Sequence, residues 1–338
     1  IVAKAMAKGA NVDKLAAEFA DELDTLGVRV ANLEKKADNV KITGQIRARY
    51  QSHDEGADVA DLRTRLFVNG QVNDDWSYTG MIENVKKING TEEGNSDNTE
   101  TELRRAYLNG RVGGLDVVAG RYNEVTSTGN ILDAHLDGVK VAYGKDVKVW
   151  GLAAKAVDDV TSYDSKDYAF NGKSEARLYV AGVEAEIGAF DTYFNYFKAE
   201  DVAFGDKNNA KEVYNAGLSV EVAKDLTAGF EYMWGDKKYN KEVSKDGYVA
   251  SLSYKGAGAE VGTWGVHANY FDQPVNAVLA PTTDATTFLL DGGYEGWNVG
   301  VDYTLAKNIT LEVDYYDTEA KIGKADDQSI FSALFFAF

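Results

Sequence analysis

Leu103-Arg104-Arg105-Ala106-Tyr107-Leu108-Asn109-Gly110-Arg111-Val112, a Gly113-Gly114 pair, then Leu115-Asp116-Val117-Val118-Ala119-Gly120-Arg121-Tyr122 is the stretch that decides the fold. Two alternating runs joined by Gly-Gly predict a β-hairpin. In the first run Ala106, Leu108, Gly110 and Val112 share one face, and Arg105, Tyr107, Asn109 and Arg111 share the other. A sheet apolar on one side and arginine-lined on the other suits a soluble core badly. It suits a membrane barrel, with lipid outside and water inside.

Working outward, a longer connection runs from Asn123 to Asp137 before alternation resumes at Gly138. The hairpin, with Arg104-Arg105-Ala106-Tyr107-Leu108 in its first strand and Gly120-Arg121 in its second, resembles a segment of the general porins. The resemblance implies that the connection near 123–137 folds inward and narrows a pore.

Composition sets the outer limits. The 338 residues are 44% hydrophobic and 27% charged, with mean hydropathy −0.35. No run of about 18 apolar residues exists, so no transmembrane helix is predicted. Barrel strands need none, since they show only dyad alternation. The 33 glycines, 20 tyrosines and 14 phenylalanines favour β-structure with aromatic girdles. Both prolines, Pro274 and Pro281, fall in one predicted loop and leave the predicted strands free of them. There are no cysteines, which excludes disulfides, thiolate metal sites and Cys nucleophiles. The net charge of −18 argues against nucleic acid as a partner, because phosphate contacts need Lys and Arg.

Residues 1–40 are the one helical section. Leu15, Phe19, Leu23, Leu26, Val30, Leu33, Ala37 and Val40 recur at spacings of four and three, a heptad seam that calls for partners. A parallel self-associated stalk over 11–40 is expected; one amphipathic helix packed on its own domain is the bland alternative. The segment 1–10, Ile1-Val2-Ala3-Lys4-Ala5-Met6-Ala7-Lys8-Gly9-Ala10, resembles the last helix of an S-layer homology (SLH) domain. Leu15-Ala16-Ala17-Glu18-Phe19-Ala20-Asp21-Glu22-Leu23 resembles the linker joining such a domain to a barrel. With the hairpin, these features resemble the SLH-domain outer-membrane porins of the OmpM type. That resemblance implies a missing SLH domain that binds peptidoglycan.

From Lys41 the period becomes two and stays so to the end. Ile42, Gly44, Ile46, Ala48 and Tyr50 alternate with Thr43, Gln45, Arg47, Arg49 and Gln51. Leu62, Thr64, Leu66, Val68, Gly70 and Val72 alternate with Arg63, Arg65, Phe67, Asn69 and Gln71. Further strands fall near 138–145, 146–157, 174–187, 188–200, 211–223, 226–236, 246–257, 262–272, 291–304, 309–318 and 327–338. The total is about 16, an even number as such barrels require. In 174–187, Arg177 and Tyr179 fall opposite Glu184 and Glu186, and a bulge is expected there. Short turns at 73–75, 113–114, 144–146, 187–189, 223–226 and 304–308 alternate with long polar loops at 52–61, 88–100, 158–173, 201–210, 237–246, 273–290 and 319–326. That alternation is the pattern of inner turns and outer loops. Phe338, Phe336, Leu334 and Ile330 share a face of the last strand. A terminal Phe there, with Phe336, resembles the signal read by the barrel assembly machinery.

The fold expected is therefore all-β: a transmembrane antiparallel barrel over 41–338, preceded by the coiled-coil stalk. Its chemistry is concentrated in arginines. By alternation Arg47, Arg49, Arg63, Arg65, Arg105 and Arg111 face the lumen as a basic ladder, while Arg104 and Arg121 have outward phase. General porins set such a ladder opposite acids on the inward loop, and the resemblance makes Glu124 and Asp133 the candidate acids. Opposed charges across a narrow wet pore orient polar solutes and impede apolar ones. Enzyme readings fare poorly, since His53, His135 and His267 are scattered. His267 shares a face with Gly265 and Asn269, which points to the lumen. No cofactor is expected; Ca2+ at acidic pairs such as Asp54/Glu55 and Asp158/Asp159 is a weak candidate, because no EF-hand spacing is present.

The function expected is a homotrimeric outer-membrane porin, stalk in the periplasm, passing small hydrophilic solutes. Its implied partners are outer-membrane lipid and lipopolysaccharide, the barrel assembly machinery, and peptidoglycan through the missing domain. The alternatives are a plugged barrel that serves only as a tether, and a soluble all-β binding protein.

Overall fold

A computed structural model of the chain describes residues 39–54, 58–89, 101–157, 176–204, 207–236, 243–282 and 292–338. The expected stalk and the seam residues Leu15, Phe19, Leu23, Leu26, Val30, Leu33 and Ala37 lie outside the described residues. The remaining seam residue, Val40, opens the first strand.

Period-two sequence builds a closed antiparallel barrel. Its strands are β1 (Val40–His53), β2 (Val59–Gln71), β3 (Trp76–Asn89), β4 (Thr101–Val112), β5 (Leu115–Val125), β6 (Asp133–Tyr143), β7 (Val147–Ala156) and β8 (Arg177–Ile187). They continue as β9 (Phe190–Phe204), β10 (Lys207–Ala223), β11 (Leu226–Gly235), β12 (Asp246–Lys255), β13 (Trp264–Pro274), β14 (Gly293–Ala306), β15 (Ile309–Ala320) and β16 (Asp326–Ala337). Each strand pairs with its neighbours in sequence, and β1 pairs with β16 to close the ring. Closure leaves no sheet edge, so every strand has partners on both sides.

The seam of closure is sealed by the last residue. Phe338 N–H donates to the Gly44 carbonyl at 3.0 Å, and Gly44 N–H donates to the Phe338 carbonyl at 2.7 Å. A Cβ on Gly44 would fall inside the Phe338 ring, so glycine there gives the ring its seat. At the β4–β5 turn Gly113 and Gly114 both hold positive φ, 56° and 89°, the conformation a two-residue hairpin turn needs.

Three expectations about strands change. β8 holds one phase throughout: it pairs with β7 and β9 without a register shift. Arg177 and Tyr179 face outward and Glu184 and Glu186 inward; Leu178 and Val180 look apolar-inward because they pack on a core inside the barrel. The register shifts fall elsewhere, among them Met81/Ile82 between β3 and β4 and Glu221/Ala223 between β10 and β11. The expected loop 201–210 is mostly ladder, since β9 and β10 extend to Phe204 and from Lys207. Pro274, expected in a loop, is the last residue of β13.

The outer face is banded by aromatic rings. Tyr196 and Tyr214 lie 5.1 Å apart, Tyr214 stacks on Trp234 at 5.4 Å, Tyr248 on Tyr270 at 5.8 Å, and Trp297 meets Tyr315 at 5.4 Å. The band covers β9 to β15, with Tyr179 and Tyr50 at its ends. On β4, β5 and β6 the outer face instead carries Ala106, Arg121 and Asp137, which face one another across the ladder.

Candidate functional site

Facing pairs across a ladder point to the same side, so the register decides what lines the lumen. Arg47 and Arg49 pair with Phe335 and Ala333, Arg65 with Glu83, and Arg105 with Met81. Arg63 pairs with Val85. These five arginines stand together on the inner wall of β1, β2 and β4, where alternation puts them. Arg104 joins them against expectation. The register shift beside Met81/Ile82 turns it inward, and its Nε lies 3.4 Å from Glu83 Oε1. Arg111 does not join: it sits at the turn end of β4, largely exposed, and its Nε meets Asp116 Oδ1 at 2.8 Å.

The ladder carries its own counter-charges. Arg47 and Arg49 share the carboxylate of Asp61, which is only 2% exposed. Arg65 Nε donates to Glu83 Oε2 at 2.5 Å. Arg105 Nε donates to His135 Nε2 at 3.3 Å. Arg63 is flanked by Arg47 and Arg65, feels Glu83 and Asp61 only through space, and its buried Nε has no hydrogen-bond partner. Three carboxylates, Asp61, Glu83 and Glu102, against six guanidinium groups leave this wall positive.

Between β5 and β6 the chain turns inward through residues 126–132, a shorter loop than the connection 123–137. Glu124 and Asp133 therefore stand on strands. Glu124, buried, takes Lys140 Nζ at 2.6 Å; Asp133 accepts from Asn123 Nδ2 at 2.8 Å and Thr282 Oγ1 at 2.7 Å. Neither is an acid at the loop tip. The tip carries Ser127, Thr128 and Asn130, and it is pinned to the far wall. Asn195 Nδ2 of β9 donates to Ser127 Oγ at 2.9 Å. Thr128 Oγ1 and Asn130 Nδ2, the latter at 2.8 Å, both donate to Glu231 Oε2 on β11. Asn215 Nδ2 takes the other oxygen at 2.5 Å. Glu231 is the residue that sequence reading missed. Its inward phase on β11 was legible, but its partner lies about a hundred residues earlier.

Carboxylates do face the lumen, from the wall rather than from the loop. A cavity of about 1020 Å3 beside the loop is lined by Glu184, Glu186, Asp191, Glu231, Glu312 and Asp314 among others, with Lys140 and Lys148. His267 lies on this wall, as its phase predicts: its Nε2 meets Asp314 Oδ1 at 2.8 Å, and Asn298 Nδ2 donates to the same oxygen at 2.7 Å. The three histidines occupy separate places, His53 on Asp327 and His135 on Arg105. Among the described residues no group of three His, Asp or Glu side chains is arranged to hold a metal ion. Of the acidic pairs proposed for calcium, Glu55, Asp158 and Asp159 lie outside the described residues.

This geometry defines a class: a closed 16-stranded porin-type barrel with an inward loop and charge segregated around the lumen. Solved structures share that fold. OprB of Pseudomonas putida superposes with TM-score 0.62 at 12% identity, covering 93% of this chain and 97% of that one. A loop-deletion mutant of OmpT, an outer membrane protein of Vibrio cholerae, gives TM-score 0.57 at 14% identity over 88% of this chain and 99% of that one. A mutant of Rh. blastica porin gives TM-score 0.55 at 15% identity, over 88% and 100%. No protein-family model matches the chain, and no curated protein sequence matches it significantly.

Proposed function

We propose that this chain is an outer-membrane porin that passes small hydrophilic solutes by passive diffusion. The observation that carries the reading is the loop 126–132. It crosses from β5/β6 to Glu231 on β11 without an acid at its tip, which leaves the arginine-lined wall of β1, β2 and β4 facing an open, polar lumen. Solutes that replace water hydrogen bonds with those of the wall cross at little cost, and apolar ones do not. Arg47, Arg49, Arg63, Arg65, Arg104 and Arg105 form the basic side of the constriction in this reading, and the acids of β8 to β15 the other. Arg111 serves the turn-side mouth. The porins among the similar structures support a channel rather than an enzyme.

A homotrimer is part of the proposal. Arg121 and Asp137 form a two-pronged ion pair, both bonds 2.8 Å, on the outer face of β5 and β6, away from the aromatic rings of β9 to β15. Charge at that depth is costly against lipid, and a neighbouring protomer would cover it. One of the similar structures is titled as a trimer form. In the full assembly the stalk and SLH domain, as the OmpM-type resemblance implies, would tether the outer membrane to peptidoglycan, and Phe336 and Phe338 would present the barrel-assembly signal. Lipopolysaccharide would surround the aromatic band.

Planar-bilayer conductance tests the reading. Large steps closing in threes are the expected result. Silence from correctly folded protein would overturn it in favour of a plugged barrel that only anchors.

A further inference from the structure

Loops joining strands normally run over the surface, because a buried loop must pair its backbone polar groups internally. The segment that follows β13 breaks this habit. Val275, Asn276, Ala277, Val278, Leu279 and Ala280 are each no more than 5% exposed. Ala277, Val278, Leu279 and Ala280 pack with Ile131 and Leu132 of the inward loop and with Leu178, Val180, Phe197, Val213, Met233 and Phe271 of the inner wall. The chain here enters the barrel and fills part of it.

Several of its backbone groups pair with the inward loop. Leu279 N–H and Ala280 N–H donate to the Ile131 carbonyl at 3.0 and 2.8 Å, Asp133 N–H to Ala280 at 2.6 Å, and Thr282 N–H to Gly129 at 2.9 Å. Leu132 and Ala280 form a parallel bridge. Gln273 Nε2 donates to the Asn130 carbonyl at 3.0 Å. From the wall, fully buried Lys211 donates to the carbonyls of Val275 and Val278 at 2.7 and 2.5 Å. Gly235 is required where the segment crosses β11, since a Cβ there would strike the Asn276 carbonyl.

We infer that residues 275–282 are a second constriction element. They hold the loop 126–132 in place from behind and share with it the setting of the solute size limit. The inference rests on the porin reading and adds to it an element that alternation in the sequence does not disclose. The apolar side of the segment packs against the inner wall of β8 to β13 and narrows the passage there toward the arginine side. Lys211 is a positioning residue here: it acts through the two carbonyls and touches no solute.

The full chain in bilayers tests this, with a Gly-Ser linker replacing Val275–Thr282. Conductance should rise about 1.5-fold or more, because it scales with the open cross-section, and liposomes should admit larger oligosaccharides than wild type does. Lys211→Met, which keeps the volume and removes the donor, should add open-channel noise. An unchanged conductance and size limit in the linker variant would overturn the inference. A silent wild type would instead count against the porin reading. Because folding of the linker variant is not assured, Leu132→Cys with Ala280→Cys supplies a second test in a chain that has no other cysteine. The pair should cross-link on oxidation, shift gel migration and suppress channel noise. Failure to cross-link in folded barrels would overturn the contact itself.

Discussion

Arg63→Gln isolates the electrostatic reasoning about the lumen. Arg63 makes no ion pair, unlike its neighbours, which share Asp61 and Glu83. Its removal therefore subtracts one positive charge and orphans no carboxylate. Its own like-charged neighbours, Arg47 and Arg65, make the loss of charge mild for stability. In a water-filled pore, a unit charge about 10 Å from the path is worth about 0.4 kcal/mol to a passing ion before screening. At 0.1 M salt, with a Debye length of about 10 Å, that falls to about 0.15 kcal/mol. The effect is opposite for cation and anion, so the permeability ratio shifts about 1.7-fold toward cations. At 0.01 M the same reasoning gives about 2.7-fold, and at 1 M almost nothing. The assay is the reversal potential of wild type and variant in a tenfold KCl gradient, repeated at the three ionic strengths. A shift toward cations that shrinks with salt is the expected result. No shift at low salt would mean that solutes do not pass the arginine wall. A salt-independent shift would mean that a changed shape, not charge, is responsible.

Other outcomes follow from single contacts. Gly44→Val should displace the Phe338 ring and loosen the β1–β16 seam, so that the folded band in heat-modifiable electrophoresis is lost at a lower temperature than in wild type. Arg121→Ala leaves Asp137 without its fork; if the chain assembles as the proposed trimer, that trimer should dissociate in detergent at lower temperature, while the paired change Arg121→Leu with Asp137→Leu should recover much of the loss, because removing both charges removes the unpaired one. Glu231→Gln keeps the shape but weakens the anchor of Thr128 and Asn130 by about 1–2 kcal/mol, and should appear as faster fluctuations of the open current. At the outer turn 321–324, hydrogen bonding by Glu319 and Glu295 holds the Lys324 ammonium above its ordinary range. A raised value means the contact is intact below the ordinary lysine range and is lost as pH climbs through the raised one. The NMR shift of the Lys324 Cε should titrate only in strongly alkaline solution, and Glu319→Gln should bring its midpoint to lower pH.

Much of this molecule is written in local pattern. Dyad alternation from Ile42 onward fixes which side chains go out and which go in, because a strand has no other period. That is why the strand count and the inward phase of Arg47, Arg49, Arg63, Arg65, Arg105 and His267 were legible in the sequence alone. The Gly113-Gly114 turn was legible because it is a local requirement stated by local residues. What alternation does not carry is the position of a register shift or the partner of a loop. Arg104 reads as outward until a bulge turns it toward Glu83, and β8 reads as irregular until the core behind it explains Leu178 and Val180. Glu124 and Asp133 read as loop acids until their partners, Lys140 and Thr282, are known. Glu231 meets Thr128 and Asn130, and Lys211 meets Val275 and Val278, only because closure of the barrel brings distant strands to one interior. Side-chain direction is a property of neighbours in sequence; what fills the space inside is a property of the closed ring, and only tertiary structure decides it.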